Sequence, residues 1–225
     1  MNKPEERLSS AALYALAAAK EILTGGKAVL LTGAGLSTDS GIPDYRGAGR
    51  VARHPMTFDS FMSGIEAQQR YWSRSFVGFS RIALAKPNPG HFALARAEQS
   101  GRLVGLITQN VDGLHQAAGS SQVLDLHGRL DKVICLKCAA VFERALVDDW
   151  IAELNPRIER DESIEFTPDG DAEVLLTDTF VVPTCKKCGG TIKPDVVFFG
   201  EQVPLARVNE ATAWVEAADA LVVAG

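Results

Sequence analysis

Four cysteines, arranged as Cys135-Leu-Lys-Cys138 and Cys185-Lys-Lys-Cys188, constrain the fold of this chain more than any other feature. Two residues between thiolates let one tight turn present both sulfurs to a single ion. Two such turns close a tetrahedral four-sulfur shell with no position left for water, so the zinc site is structural. Residues 139–184 exceed the usual spacing between two knuckles, so the chain must leave the metal and return to it, forming a small lobe. Two redox motifs is the competing reading and the poorer one. Neither pair sits at a thioredoxin-like strand-to-helix turn, and Lys187-Cys-Gly-Gly190 ends like a metal knuckle. No cysteine is left over, and the start MNKPEERLSS carries two glutamates where a signal peptide is purely basic; both facts favour thiols in a reducing cytoplasm.

Outside that lobe, two textures alternate. Strand-like apolar runs occur at 28–32, 103–108, 123–126, 195–199 and 220–224. Helical patterns occur at 8–23, 58–85 (with interruptions), 91–99 and 205–217. Strands alternating with helices predict an α/β core with a mainly parallel sheet, into which the zinc lobe is inserted. The first helix is expected to face a core with Leu8, Leu13, Leu16 and Ile22. At 225 residues the chain can hold one sizeable core with a small satellite. Its net charge of −5 is uneven, with eleven acidic and two basic residues between Asp148 and Asp178. Nothing forms a basic stripe suited to nucleic acid, and no run reaches the roughly 18 apolar residues of a membrane span.

Three motifs sit at the ends of strand-like runs, where open α/β sheets present groups to ligands. Gly33-Ala-Gly35-Leu-Ser37-Thr38 begins like a dinucleotide turn but has Thr38 where the last glycine belongs. It then breaks into Gly41-Ile-Pro-Asp-Tyr-Arg-Gly47 instead of running into a helix. Thr108-Gln-Asn-Val-Asp112 offers Gln109, Asn110 and Asp112 to a polar ligand, although Asn and Asp also favour ordinary turns. His127, in Leu126-His-Gly128, can act there as a base near neutral pH. The other histidines have plainer contexts: His54 precedes a proline, His91 follows Pro89-Gly90, and His115 packs within or caps its turn.

These motifs, the cysteine pairs and Pro194-Asp-Val-Val-Phe-Phe-Gly-Glu201, in this order, resemble the sirtuins, NAD-dependent protein deacylases. The resemblance runs from about Lys20 to the last residue. Tyr45, Leu154-Asn-Pro156, Pro168-Asp-Gly-Asp171 and Val182-Pro-Thr-Cys185 look most like the class II branch. The resemblance implies a Rossmann-like parallel sheet with helices on both faces plus a small inserted zinc-binding domain. The divisions expected from it are 1–48, 91–131 and 193–225 for the Rossmann-like parts, 49–90 for a cofactor loop and helical module, and 132–192 for the zinc domain.

It further implies that Gly33, Ala34, Gly35, Ser37 and Thr38 approach NAD, and that Asp44, Tyr45 and Arg46 belong to a cofactor loop closing over the nicotinamide ribose. Gln109, Asn110 and Val111 border the ribose, and Asp112 holds the nicotinamide carboxamide. Asn110 and His127 are the expected catalytic residues: the acyl-lysine oxygen attacks the ribose carbon as nicotinamide departs, and His127 then helps a ribose hydroxyl attack. Free lysine and O-acyl-ADP-ribose result. Val196, Val197, Phe198, Phe199 and Gly200 match the segment that pairs with the substrate backbone, so the expected partners are proteins carrying acylated lysine, with neither membrane nor nucleic acid. Protein mono-ADP-ribosyl transfer, or a weakly active NAD- or acyl-peptide-binding module, are the alternatives within reach.

Tyr71 and Arg74, three apart in a helical pattern, can share a face and clamp an acidic acyl group, or be a packed Tyr beside a solvated Arg. Family members continue beyond a Gly-Thr/Ser-Ser turn into sheet that contacts adenosine. The end Ala218-Asp-Ala-Leu-Val-Val-Ala-Gly225 therefore predicts a Rossmann-like domain truncated at its C-terminal end, with apolar surface exposed.

Overall fold

The computed structural model describes residues 9–45, 55–158 and 179–225. Leu8, Arg46, His54 and residues 168–171 lie outside them.

A parallel sheet is built from β1 (Ala28–Thr32), β2 (Leu103–Thr108), β3 (Val123–Asp125) and β7 (Ala220–Ala224), in the order β3-β2-β1-β7. Each strand is a short, nearly continuous apolar run, as a sheet covered on both faces demands. Helix α4 (Pro89–Gln99) covers one face, where Leu94 and Ala97 pack on Ala28, Leu30, Leu103 and Leu106. Helix α7 (Leu205–Ala217) covers the other, where Ala211, Trp214 and Val215 meet Val29, Ile107 and Leu124. The strands after β1 step outward on one side, and β7 returns to the opposite side of β1. The strand order thus reverses at β1, and the crevice beyond the C-terminal ends at such a reversal is where these sheets bind ligands.

A second, antiparallel sheet has the order β5-β4-β6, from β4 (Gly128–Cys135), β5 (Val141–Glu143) and β6 (Ile192–Val196). Strands β4 and β6 therefore run across positions 131 and 192. The largest apolar core joins this sheet to α2 (Phe58–Met62), α3 (Ile65–Leu84) and α6 (Arg144–Leu154). Tyr71, Trp72, Leu130, Ile151, Cys135 and Cys185 all belong to it. Arg144 is buried between α6 and α3, donating to Asp148 at 2.7 Å and to Ser75 O at 2.9 Å. Asn155 clasps Val181 with two hydrogen bonds, Nδ2 to the carbonyl at 3.0 Å and Oδ1 from the N–H at 2.7 Å, closing the base of the chain between them.

Three expectations are corrected. The strand expected over 195–199 is observed at Ile192–Val196. The apolar Val197–Phe199 leaves the ladder because its backbone bonds are taken elsewhere: Val197 N–H by His127 O, Phe198 N–H by the Glu201 carboxylate, and Phe199 O by Phe58 N–H. The strand expected to reach Leu126 stops at Asp125. Helix α1 (Ser10–Gly25) forms, capped by Ser9, but it does not bury the expected face. Leu13 and Leu16 are 56% and 55% exposed, and α1 packs extensively against no other described element.

Candidate functional site

The zinc ligands assemble as expected. The four cysteine sulfurs lie within 4.8 Å of one another, with Cys135–Cys188 at 3.5 Å and Cys138–Cys185 at 3.8 Å. A tetrahedral ion with Zn–S bonds of about 2.3 Å places neighbouring sulfurs about 3.8 Å apart. The quartet therefore fits zinc. Backbone turns hold it: Ala139 N–H donates to Cys135 O and Gly189 N–H to Cys185 O, one turn at each knuckle.

A cleft enclosing about 700 Å³, solvent at its mouth included, opens beyond the C-terminal ends of β1 and β2. Ala34, Ser37, Tyr45, Gln109, Asn110, Val111 and Asp112 line it on the sheet side; Tyr71 and Val196, Val197, Phe198 and Phe199 line it on the side of the large core. Ile42 and Met56 complete the wall and were not singled out from sequence; Ile42, the lone apolar residue of Gly41-Ile-Pro43, is the signal that was available.

The polar groups are held in one network. Ser37, fully buried, donates to Asp112 Oδ2 at 2.6 Å, and Asp112 Oδ1 accepts from Leu114 N–H at 2.9 Å. Asn110 Nδ2 donates to Gly33 O at 2.9 Å and to Ser37 Oγ at 3.0 Å. Gly33 and Thr38 lie on the turn behind this wall, Thr38 Oγ1 donating to Gly35 O at 2.8 Å. Gly33 N–H donates to Ala224 O, and a Cβ on Gly35 would meet the Gly225 carbonyl carbon at 2.6 Å. Glycine at position 35 is thus required by the close approach of Gly225, just beyond β7. A Cβ on Gly33 would meet nothing, so that side of the turn faces open space. An open glycine turn, a carboxamide, a carboxylate and a hydroxyl at a strand-order reversal fit a dinucleotide carrying a carboxamide and ribose hydroxyls.

His127 stands at the edge of the cleft, tied to two of its lining residues. Its Nδ1 lies 3.1 Å from Gln109 O, and its own carbonyl accepts from Val197 N–H at 2.8 Å. A carbonyl can only accept, so Nδ1 carries a proton, and in the neutral ring the lone pair is on Nε2. The next residue, Gly128, has φ +82°, and a Cβ there would lie 1.9 Å from Asp195 O. Only glycine lets β6 cross against β4 directly after His127.

The segment after β6 is braced from below. Lys193, its side chain 6% exposed, donates to Val196 O at 2.5 Å, pairs with Glu201 at 3.1 Å and lies 5.0 Å from the Phe198 ring. Glu201 Oε2 also accepts from Phe198 N–H at 2.9 Å. Burial lowers the Lys193 pKa from its usual value, and Glu201 opposes this. Tyr45 meets Phe199 edge-on at 5.9 Å. Gly200 turns at φ +80° beyond the wall, Asp44 precedes Tyr45 without lining the cleft, and Arg74 is absent from the lining that Tyr71 joins. No described helix is long and apolar enough to cross a membrane.

The chain shares this plan with known proteins. A protein of Xanthomonas axonopodis pv. citri (strain 306), an NAD-dependent protein deacetylase, is 52% identical over 200 residues, covering 87% of this chain and 68% of that one. NAD-dependent protein deacetylase 1 of Streptomyces coelicolor is 47% identical over 215 residues, 93% of this chain and 71% of that one. A Sir2 structure with a p53 peptide and NAD+ superposes with TM-score 0.69 at 31% identity, covering 92% of this chain and 73% of that one. A Sir2Tm structure bound to a propionylated peptide gives 0.68 at 29%, covering 93% and 75%. The Sir2 family model matches residues 33–225, from the glycine turn through the cysteine quartet to β7, and with that match this chain belongs to the Sir2 family, the sirtuins.

Proposed function

We propose that this chain is an NAD-dependent protein lysine deacetylase that releases nicotinamide and leaves the acyl group on ADP-ribose. One observation carries this reading: His127 is bonded to Gln109 on one side of the cleft and to Val197 on the other, which joins a base, a polar nucleotide wall and a substrate-facing segment. The relatives that are NAD-dependent protein deacetylases support it.

Bound NAD supplies the electrophilic ribose carbon and the nicotinamide leaving group. Asp112, oriented by Ser37 and Leu114, accepts from the carboxamide, while Asn110 and Gln109 border the ribose. The Gly33–Thr38 turn and the Asp44–Arg46 segment enclose the dinucleotide. His127 Nε2 takes the proton of a ribose hydroxyl, and its Nδ1–H bond to Gln109 O stabilises the resulting imidazolium. The acyl-lysine peptide lies along Val196–Gly200 by backbone pairing, which demands little of its sequence. Zinc on the cysteine quartet holds the small sheet.

We assign the chain to the class II-like branch on Tyr45, Leu154-Asn-Pro156, Pro168-Asp-Gly-Asp171 and Val182-Pro-Thr-Cys185, and place it in the cytoplasm on its four ligand thiols. Tyr71 borders the acyl chain. If Arg74→Ala alters acetyl- and succinyl-lysine turnover equally, an acidic-acyl pocket at Tyr71 and Arg74 is excluded. The test of the whole reading is turnover of NAD with acetyl-, succinyl-, lipoyl- and long-acyl-lysine peptides, read by mass. O-acyl-ADP-ribose is expected, and His127→Ala lowers its rate by roughly 10²-fold or more. ADP-ribosylated protein, or no product from a folded zinc-loaded chain, overturns it.

A further inference from the structure

Two histidines outside the cleft are buried against each other: His91 at the start of α4 and His115 in α5 (Leu114–Ala117). Their rings lie 4.9 Å apart at 58°. His91 Nε2 and His115 Nδ1 are both buried without a partner among the described residues. The remaining bonds fix where the protons are. Asn88 N–H can only donate, and it reaches His91 Nδ1 at 3.3 Å, so neutral His91 carries its proton on Nε2. At the other end, Asn110 N–H donates to Thr108 Oγ1 at 3.1 Å, and Thr32 Oγ1 donates to Thr108 Oγ1 at 2.9 Å. With its hydrogen spent on Thr108, Thr32 Oγ1 accepts from His115 Nε2 at 3.0 Å. That leaves His115 Nδ1 bare. The two orphan nitrogens are therefore complementary, one donor and one acceptor on adjacent rings.

We propose that His91 and His115 form a neutral pair, packed ring against ring, that positions Asn110 in the cleft through Thr32 and Thr108. Asn88 donates to His91, the two rings pack against each other, and from His115 the donors run one way through Thr32 to Thr108, with Asn110 closing on the last hydroxyl. The same helix end also holds the glycine turn, since Asn88 Nδ2 donates to Leu36 O at 2.7 Å and to Ser40 Oγ at 3.0 Å. One buried joint thus sets both strips of backbone that carry Ser37 and Asn110. These are positioning residues, and the claim rests on reading Asn110 as a cleft residue.

The ionisable groups acting on the pair are Asp112 and the rings themselves. Burial lowers the His91 pKa against the pull of Asp112, and burial together with His91 lowers His115 to about 4. A proton added to His115 lands on the buried, unpartnered Nδ1 and sets a charge against the His91 ring.

The first test is imidazole ¹⁵N NMR of the unmodified protein, which reads tautomers without reference to activity. Both rings are expected neutral at pH 7 with the proton on Nε2; a protonated ring, or His115 with its proton on Nδ1, overturns the proposal. The second follows the Asn110 amide resonance and turnover in two variants. His115→Gln keeps an amide donor toward Thr32, so the Asn110 amide signal stays in place and kcat/KM stays within about threefold. His115→Phe fills the space without a donor, moving that signal and lowering kcat/KM for NAD by roughly tenfold to a hundredfold. In the parent protein the Asn110 signal holds through neutral pH and moves only as pH nears about 4, a step that His115→Gln removes. Equal effects of Gln and Phe, or an Asn110 signal indifferent to both, refute it. Because the NMR signals do not depend on turnover, absence of deacetylation overturns only the proposed function.

Discussion

Replacing Lys193 with Met removes the cation and keeps an unbranched side chain one atom shorter, and its consequences can be worked from the geometry. The ammonium bonds to Val196 O at 2.5 Å and to Glu201 at 3.1 Å, with Pro194 O a marginal third acceptor at 3.4 Å. A hydrogen bond from a charged donor contributes about 1.5–3 kcal/mol, and breaking a buried pair from one side costs about 3–5 kcal/mol. Glu201 is 23% exposed, so water can solvate the orphaned carboxylate, and the expected loss falls to about 2–3 kcal/mol. Glu201→Gln keeps an acceptor for Phe198 N–H but strands the more deeply buried ammonium, which retains its bond to Val196 O, with a loss of about 3 kcal/mol. The double variant buries neither charge, so it should be less destabilised than the sum of the singles by about 1 kcal/mol or more. Urea denaturation of the four proteins measures this cycle. The functional counterpart is the peptide KM at saturating NAD, which should rise several-fold in Lys193→Met while the NAD KM holds. Strict additivity, or a single-variant loss below about 0.5 kcal/mol, would falsify the brace. An NAD KM that moves as far as the peptide KM would separate the brace from the substrate segment.

Metal analysis should find one zinc per chain; chelation, or Cys185→Ser, should melt the antiparallel sheet and expose Trp150, read by tryptophan fluorescence. Gly128→Ala forces a Cβ to 1.9 Å from Asp195 O at φ +82°, and should lower stability by about 3 kcal/mol or more and displace His127, seen as a lowered Tm with loss of turnover. Acid should destabilise the fold through His115, whose pKa falls from 6.5 to about 4 on folding. The unfolded chain binds this proton first, so stability is fully present above about pH 6.5 and falls by about 3 kcal/mol as pH drops toward 4, a slope that His115→Gln should flatten in urea titrations at several pH values.

The parallel sheet was legible because each of its strands is an apolar run bounded by turn residues, and the runs at 28–32, 103–108 and 220–224 match residue for residue. The cysteine quartet was legible because ligand spacing is a local property. Strand β6 was not: Lys193 and Pro194 disguise its start, while the more apolar Val197–Phe199 is held by side chains and loops that no periodicity reveals. Strands β4 and β5 were not legible, because β5 is three residues long, their hairpin turns through the first cysteine knuckle, and the other partner of β4, β6, lies far along the chain. The exposure of α1 was missed because an alanine-rich helix shows little contrast between its faces. Around the cleft, Asn110, Asp112 and His127 stood out by their place at strand ends, and the family resemblance supplied their expected roles. The His91–His115 joint was not, since each histidine alone reads as an ordinary cap or packed ring and only the fold brings them together.

The clasp between Asn155 and Val181 gives this protein an insertion port. A single carboxamide there imitates one rung of a β-ladder, so the return of the chain to the second knuckle is set at the clasp and not by the length of what lies between. Closing a loop costs only about 0.6 kcal/mol more for each doubling of its length. A peptide tag, or a whole small domain with adjacent ends, can therefore be grafted between the clasped residues at little expense to the metal site. The converse also holds: shortening that stretch until it can no longer span the clasp would unseat Cys185 and Cys188 without touching a ligand.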